Sequence, residues 1–191
     1  MLYPLPAVMV SAGDVKGNTN ILTIAWTGTI CTNPAMAYIS VRPERYSYPM
    51  IRESGEFVIN LTTEKLAWAT DYCGVKSGRE VDKWKKTGLH QTKADKLLFA
   101  PLIEEAPVNI ECKVTEVKEL GSHHMFLAEI QAVHADEAYM NAKNQLELNK
   151  AGLLLYSHGE YMTMGRKLGT FGYSVRKKQF VKKKKSAGKK K

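Results

Sequence analysis

Cysteine is scarce: the chain of 191 residues holds three, Cys31, Cys73 and Cys112, and no C-x-x-C. Three cannot all pair within one chain, so a disulfide framework is excluded and a reducing cytoplasmic setting is the economical expectation. Long apolar runs are also missing, and no stretch suits a membrane-spanning helix. The N-terminal MLYPLPAVMVSAG lacks a basic leader and is broken by Pro4 and Pro6, so it reads as structure and not as a signal peptide. Neither G-x-G-x-x-G nor G-x-x-x-x-G-K-[ST] occurs, and H-E-x-x-H and paired-cysteine patterns are absent. GRKLGTFGY, near the C-terminus, is glycine-rich but wrongly spaced for a phosphate loop and reads as an ordinary loop. A Rossmann nucleotide fold, a metal site and a catalytic triad are therefore not expected.

Acid is missing from one end. Ten of the 28 Lys and Arg lie in residues 176–191, RKKQFVKKKKSAGKKK, which hold no Asp or Glu, and this leaves 18 basic against 19 acidic residues in the rest. The net charge of +9 is thus a property of the tail. Such a tract cannot bury enough apolar surface to fold, so residues 176–191 are expected to form a disordered Lys-rich tail. A solubilising role is the simplest reading, and a nucleic-acid or membrane contact the alternative. With 44% hydrophobic and 25% charged residues, residues 1–175 suit one domain with a sizeable core.

What is present is mostly strand. PAVMVSAGDVKGNTNILTIAW reads as two apolar strands around the turn Gly13 to Asn18. Past Trp26 the alternation dissolves into Thr-Gly-Thr and Asn33-Pro34, which predicts a loosened bend before a third strand over 36–42. YSYPMIRES predicts a short helix ended by Gly55, followed by a strand over 56–61. TTEKLAWATDYCG predicts a helix capped by Thr62 or Thr63 and terminated by Gly74. The charged segment KSGREVDKWKKTGLHQTKADK predicts surface. PVNIECKVTEVKEL alternates cleanly, and Gly121-Ser122 turns it into the partner strand HHMFLAEIQAVHADE. One further short strand and a loop are expected before the tail. Hairpin-linked strands with short inserted helices and no βαβ rhythm predict a mainly β fold, an antiparallel barrel or sandwich.

Chemistry concentrates in SVRPERYSYPM. Arg42, Arg45, Ser47 and Tyr48 put two guanidinium groups and two hydroxyls in a turn that leads into a helix N-terminus, which are the parts of a phosphate site. A solvated arginine loop with Ser47 as helix cap is the plainer alternative. Trp26, taken alone, reads as core or interface packing, Lys83 as a surface lysine, Cys73 as a small buried hydrophobe, and His123-His124 as a pair straddling the two faces of a strand.

Taken in order, NTNILTIAWTG with its following NP, SVRPERYSYPMIRESGEFVINL, DYCGVKSGREVDKW, APLIEEAPVNIECKV and GSHHMFLAEI resemble the flavin reductase-like family of FMN-binding split barrel proteins, especially its flavoredoxin and ferric-reductase-like branch. The resemblance covers about Pro4 to Tyr173. It implies a Greek-key split β-barrel that binds FMN noncovalently as a homodimer. It implies that Asn20, Thr23 and the backbone around Ala25, Trp26 and Thr27 line the isoalloxazine ring, and that Arg42, Arg45, Ser47 and Tyr48 hold the phosphate. Lys83 and His123 are implied as further contacts from across a dimer interface, and Tyr156 as an aromatic near the flavin. The activity implied is hydride transfer from NADH or NADPH to flavin, with electrons passed to a second acceptor that the sequence does not name. An FMN-binding electron carrier or flavin store serving a partner protein is the alternative, and a basic-tailed nucleic-acid-binding barrel a third.

Overall fold

The turn Asp14-Val15-Lys16-Gly17-Asn18 shows how the local sequence builds the first hairpin. Asp14 Oδ1 accepts the backbone N–H groups of Lys16 and Asn18, each at 2.9 Å, and Gly17 takes φ of 88°, a left-handed conformation that costs glycine nothing. The computed structural model describes residues 2–176; apart from Arg176, the expected tail lies outside the described residues.

In chain order the strands are β1 (Leu5–Pro6), β2 (Val8–Gly13), β3 (Thr19–Ile24), β4 (Thr27–Thr32) and β5 (Ala35–Val41). Helix α1 (Ser47–Ser54) follows, then β6 (Glu56–Leu61), α2 (Ala67–Val75), α3 (Lys83–Thr87), β7 (Gln91–Thr92) and β8 (Leu102–Ile103). The long hairpin of β9 (Val108–Leu120) and β10 (His123–Ala135) comes next, and β11 (Leu154–Ser157) and β12 (Glu160–Thr163) close the described chain. The main sheet is antiparallel in the order β3-β2-β6-β9-β10-β5-β4, and β1, β11 and β12 form a second, three-stranded sheet. The main sheet curls on itself: Leu22 and Ile24 of β3 share one buried core with Ala37, Ile39 and Val41 of β5, and Met50 and Ile51 of α1 plug it. A second core lies outside the barrel, where Met9 and Ile21 meet Leu66, just before α2, Ala69 and Cys73 of α2, and Trp84 of α3. Strands β2 and β3 are therefore apolar on both faces, which is why their sequence reads as a nearly unbroken run.

Four expectations are corrected. The stretch after Trp26 is not a loosened bend but strand β4, whose pairing with β5 is interrupted by one register shift between Thr29 and Cys31. Its Thr-Gly-Thr composition hides it because β4 ends the sheet on its outer side, with little of it buried. Gly74 lies inside α2 instead of ending it; a Cβ there would stand 3.2 Å from the Thr23 Cβ, so glycine serves the close packing of α2 on β3. The charged segment after Gly74 is not all surface, since α3 buries Trp84 and Lys83, with Asp82 capping its first turn by accepting Lys85 N–H at 3.1 Å. The C-terminal part holds two strands, not one.

Candidate functional site

Three hollows meet at Thr23, near the end of β3. The first, a cleft of about 310 Å³, lies between β3, the β5–α1 turn and the C-terminal end of α2. The second, about 170 Å³, is a slot along Thr23, Ala25 and Trp26, bounded by Arg42, Arg45 and His123. The third, about 350 Å³, opens on the other side of Thr23 against Asp71, Tyr156 and Tyr161. Cleft and slot run into each other, because Leu22, Thr23, Arg42 and Arg45 line both. Thr23 is held by its hydroxyl, which donates to the Thr70 carbonyl on α2.

The cleft is built for an anion. Arg42, Arg45, Lys76, Arg79 and Lys83 line it, and Glu44 is the one acidic side chain among its lining residues. A tight turn sets the arginines: Arg45 N–H donates to the Arg42 carbonyl and Tyr48 N–H to the Arg45 carbonyl, both at 3.0 Å. Helix α1 then starts at Ser47, so its first amides, the positive end of the helix dipole, lie beside the arginines. Ser47 is buried and makes no capping bond; its hydroxyl accepts the Asn20 side-chain amide at 2.7 Å, tying β3 to the helix start. Arg42 pairs with Glu44 at 2.6 Å.

Lys83 is the unusual cation. The residue is 3% exposed, and its ammonium donates to the carbonyls of Ile21 and Cys73, each at 2.7 Å, which leaves one of its three donors for an occupant of the cleft. Burial pushes it down to about 8, with the Arg45 charge adding to that effect and Cys73 opposing it. It stays largely cationic at neutral pH. Cys73, in turn, is pushed up to about 11 by burial, so its thiol is inert packing, as the sequence suggests.

In the slot, the Trp26 and His123 rings lie 4.3 Å apart, tilted by 39°. Burial, helped by Arg42 and Arg45 against Glu44, lowers the His123 pKa, so a neutral imidazole faces the indole. Trp26 is 50% exposed; it is neither core nor fully packed, and its edge also borders an apolar hollow formed with Leu2, Tyr3, Leu5, Tyr38 and Met125.

Of the expected residues, the fold gathers Asn20, Thr23, Arg42, Arg45, Ser47 and Lys83 around the cleft and Ala25, Trp26 and His123 around the slot. Tyr156 stands in the third hollow, across Thr23. Two side chains are not brought in. The Thr27 hydroxyl donates to the Tyr38 carbonyl at 2.6 Å, and the Tyr48 hydroxyl is 2.6 Å from His124 Nδ1 and accepts from Arg52 at 3.0 Å, while its ring packs against Phe126 of the barrel core. Lys83 and His123, expected as contacts from across a dimer interface, stand in the same chain's cleft and slot as Arg45 and Trp26.

Sequence reasoning missed Tyr46, Gly78 and Arg79. The Arg79 guanidinium sits 5.7 Å from the Tyr46 ring centroid and donates to the Glu44 carbonyl at 3.0 Å. A Cβ on Gly78 would stand 2.4 Å from Tyr46 and 2.6 Å from Asn20 Oδ1, so only glycine lets this loop close over the cleft. The available signal was the pairing of Gly78 with Arg79 inside a stretch that reads as charged surface. Among the described residues no cluster of His, Cys, Asp and Glu is arranged to hold a metal ion.

The model of the flavin reductase-like domain family matches residues 1–165. An uncharacterized protein of Aeropyrum pernix is 33% identical over 148 residues, 77% of this chain but 56% of the relative, so the match spans little more than half of that protein. Flavoredoxin of Desulfovibrio vulgaris (Miyazaki F) superposes with a TM-score of 0.85 at 29% identity, covering 92% of this chain and 95% of its own. Flavoredoxin from Methanosarcina acetivorans gives 0.83 at 30% identity, with the same shares of 92% and 95%. The curled antiparallel sheet is the split barrel of these proteins.

Proposed function

Because the chain belongs to the flavin reductase-like family, and with it to the flavin-binding redox proteins, we propose that it binds FMN noncovalently, takes a hydride from NADH or NADPH onto the flavin, and passes electrons to a second acceptor. The observation that carries this reading is the continuity of a flat slot at Thr23–Trp26 with a cleft holding five cationic side chains and the start of α1. A planar ring joined to a phosphomonoester needs that pairing of shapes and charges. The residues fit: Lys83 retains a free donor, and Gly78 leaves room where any side chain would intrude.

Arg42, Arg45, Arg79 and the first amides of α1 would hold the phosphate. Asn20 and Thr23, with the backbone from Ala25 to Thr27, would line the ring edge, while Lys83 would supply positive charge from the adjoining cleft. Flavin, when bound, supplies the capacity to accept a hydride and to release electrons one or two at a time. No side chain is asked to move a proton in this reading. His123, kept neutral, packs Trp26 into place at the slot wall, and the protein contributes position and electrostatics. A reducing cytoplasmic setting belongs to the same reading, supported by the three free cysteines, two of them buried.

The absorbance spectrum of the purified protein tests flavin binding directly. Anaerobic addition of NADH or NADPH to the yellow holoprotein then tests the enzyme: bleaching within seconds is the expected outcome. Flavin that stays oxidised would instead favour the second reading, an electron carrier serving a partner protein, to which the two flavoredoxin neighbours lend support.

A further inference from the structure

The glycine-rich stretch GRKLGTFGY, which follows β12, has no part in the reading above, yet it folds into a shape of its own. Tyr173 N–H donates to the Thr170 carbonyl at 2.9 Å and Gly172 takes φ of 78°, which closes a tight turn. A Cβ on Gly169 would stand 2.6 Å from the Tyr173 ring, so the lack of a side chain there lets the ring fold back over the chain. The turn leaves Phe171 fully exposed, with Leu168 and Val175 exposed beside it. Among the described residues, 166–176 make hydrogen bonds only with one another.

A preformed turn that holds an aromatic and two aliphatic side chains in water marks a contact surface, with Phe171 as its anchor. The same chain offers a socket of matching character. The apolar hollow of about 380 Å³ at Tyr3, Trp26, Tyr38 and Met125 is open, and none of residues 164–176 lines it. Knob and socket therefore do not meet within one chain. Two copies related by a two-fold axis can exchange knobs, and that arrangement closes on itself. The area agrees. The exposed surface of Leu168, Phe171 and Val175 on the knob and of Leu2, Tyr3 and Trp26 at the socket, taken twice, falls in the range of about 1,200–2,000 Å² that stable protein interfaces bury.

We propose that residues 166–175 form a docking knob, and that Phe171 of one copy enters the apolar hollow at Tyr3, Trp26, Tyr38 and Met125 of a second copy, reciprocally about a two-fold axis. The knob lies beyond the matched family region, which ends at 165, so the contact is not one that the family match carries. Because Trp26 also walls the slot, docking sets a side chain of one copy against the candidate site of the other. The proposal does not rest on the flavin reading.

The test uses the full chain. Light scattering over a dilution series reads self-association, and wild type is expected to be a dimer. Phe171→Asp is expected to weaken that dimer by about thirtyfold or more, the loss of one buried aromatic anchor. Leu98→Asp, at an exposed apolar residue elsewhere, is expected to leave it unchanged. Circular dichroism checks that both variants keep the fold, as substitutions at exposed positions should. A photoreactive benzoylphenylalanine at position 171 then identifies the socket: cross-links at the mass of two chains, to the segments carrying Tyr3, Tyr38 or Met125, support the proposal. A monomeric wild type overturns it, as does a dimer indifferent to Phe171→Asp or weakened equally by Leu98→Asp. Cross-links formed within one chain, or to another surface, overturn it as well.

Discussion

Arg45 and Lys83 differ in what their charges do. Arg45 stands at the junction of cleft and slot and touches both. Arg45→Ala is expected to weaken FMN binding by about 1.5–3 kcal/mol, the range for one charge-assisted contact. Titration of apoprotein with FMN by fluorescence quenching measures it, and unchanged affinity would remove the turn from the site. Lys83 is buried and carries a pH signature. Its folded value of about 8 lies below the ordinary 10.5, so between these the unfolded chain binds more protons and the stability owed to this group rises with pH. That contribution is complete above the unfolded value and lost as pH falls through the folded one. In the apoprotein, wild type should therefore gain about 2–3 kcal/mol on Lys83→Met between pH 8 and 10.5. Urea denaturation across that range reads the difference, and a flat one contradicts a buried ammonium.

Strands β6 and β9 do more than complete the sheet. Glu56 and Glu111, both buried, point from them into a loop that has little secondary structure of its own. Glu111 accepts the amides of Asp95 at 2.8 Å and Lys96 at 2.7 Å and the His134 ring nitrogen at 2.6 Å; Glu56 accepts the amides of Leu98 and Phe99 at 2.9 Å. The loop thereby lays Ala94, Leu97 and Ala100 over Val58. Burial works to raise the Glu111 pKa, but the two amides and His134 outweigh it, and the net direction is down. The stability this adds is present above the ordinary carboxylate value and is lost as pH falls through the lowered one. Glu111→Gln is expected to cost about 1–3 kcal/mol at pH 7, because a side-chain amide cannot accept every one of those donors. The variant should also lose less stability than wild type between pH 5 and 3. Unfolding curves over that range check both, and a variant as stable as wild type at pH 7 would show that the clamp is dispensable.

At the scale of the whole molecule, the barrel interior is filled by side chains, so a ligand must lie on the outside and needs a second wall. Leu2, Tyr3 and Trp26 stay exposed around an apolar hollow of about 380 Å³ beside the slot. We expect a two-fold symmetric homodimer that covers this surface, with two equivalent FMN sites. Light scattering after size-exclusion chromatography decides; a monomer that binds FMN stoichiometrically would rule out a shared site while leaving the single-chain placement of Lys83 and His123 intact. Residues 176–191 lie beyond the matched family region, which ends at 165. Their removal should leave FMN affinity and turnover unchanged at moderate salt, and a loss that persists in salt would tie the tail to the active site.

Period and punctuation in the sequence determined the strands whose faces are simple. The β2–β3 hairpin, α1 with its Gly55 stop, and the β9–β10 hairpin follow from apolar periodicity, the Asp14 turn and glycine, because these are interactions between near neighbours. The phosphate-like cluster at Arg42–Ser47 was legible for the same reason, being contiguous. Strand β4 was not, since an outer strand with little burial carries little apolar pattern. Nor were Gly78, Arg79, the burial of Lys83 or the turn of Tyr48 towards His124 and Phe126. Each depends on what folds against it: Tyr46 beneath Arg79, the Ile21 and Cys73 carbonyls around Lys83, His124 beside Tyr48. A charged residue's local sequence states its charge. Whether that charge is solvated or held in a cleft is settled in large part by partners distant in sequence, as the separations of 62 and 35 residues for Lys83–Ile21 and Arg79–Glu44 show, and only the curled sheet brings those together.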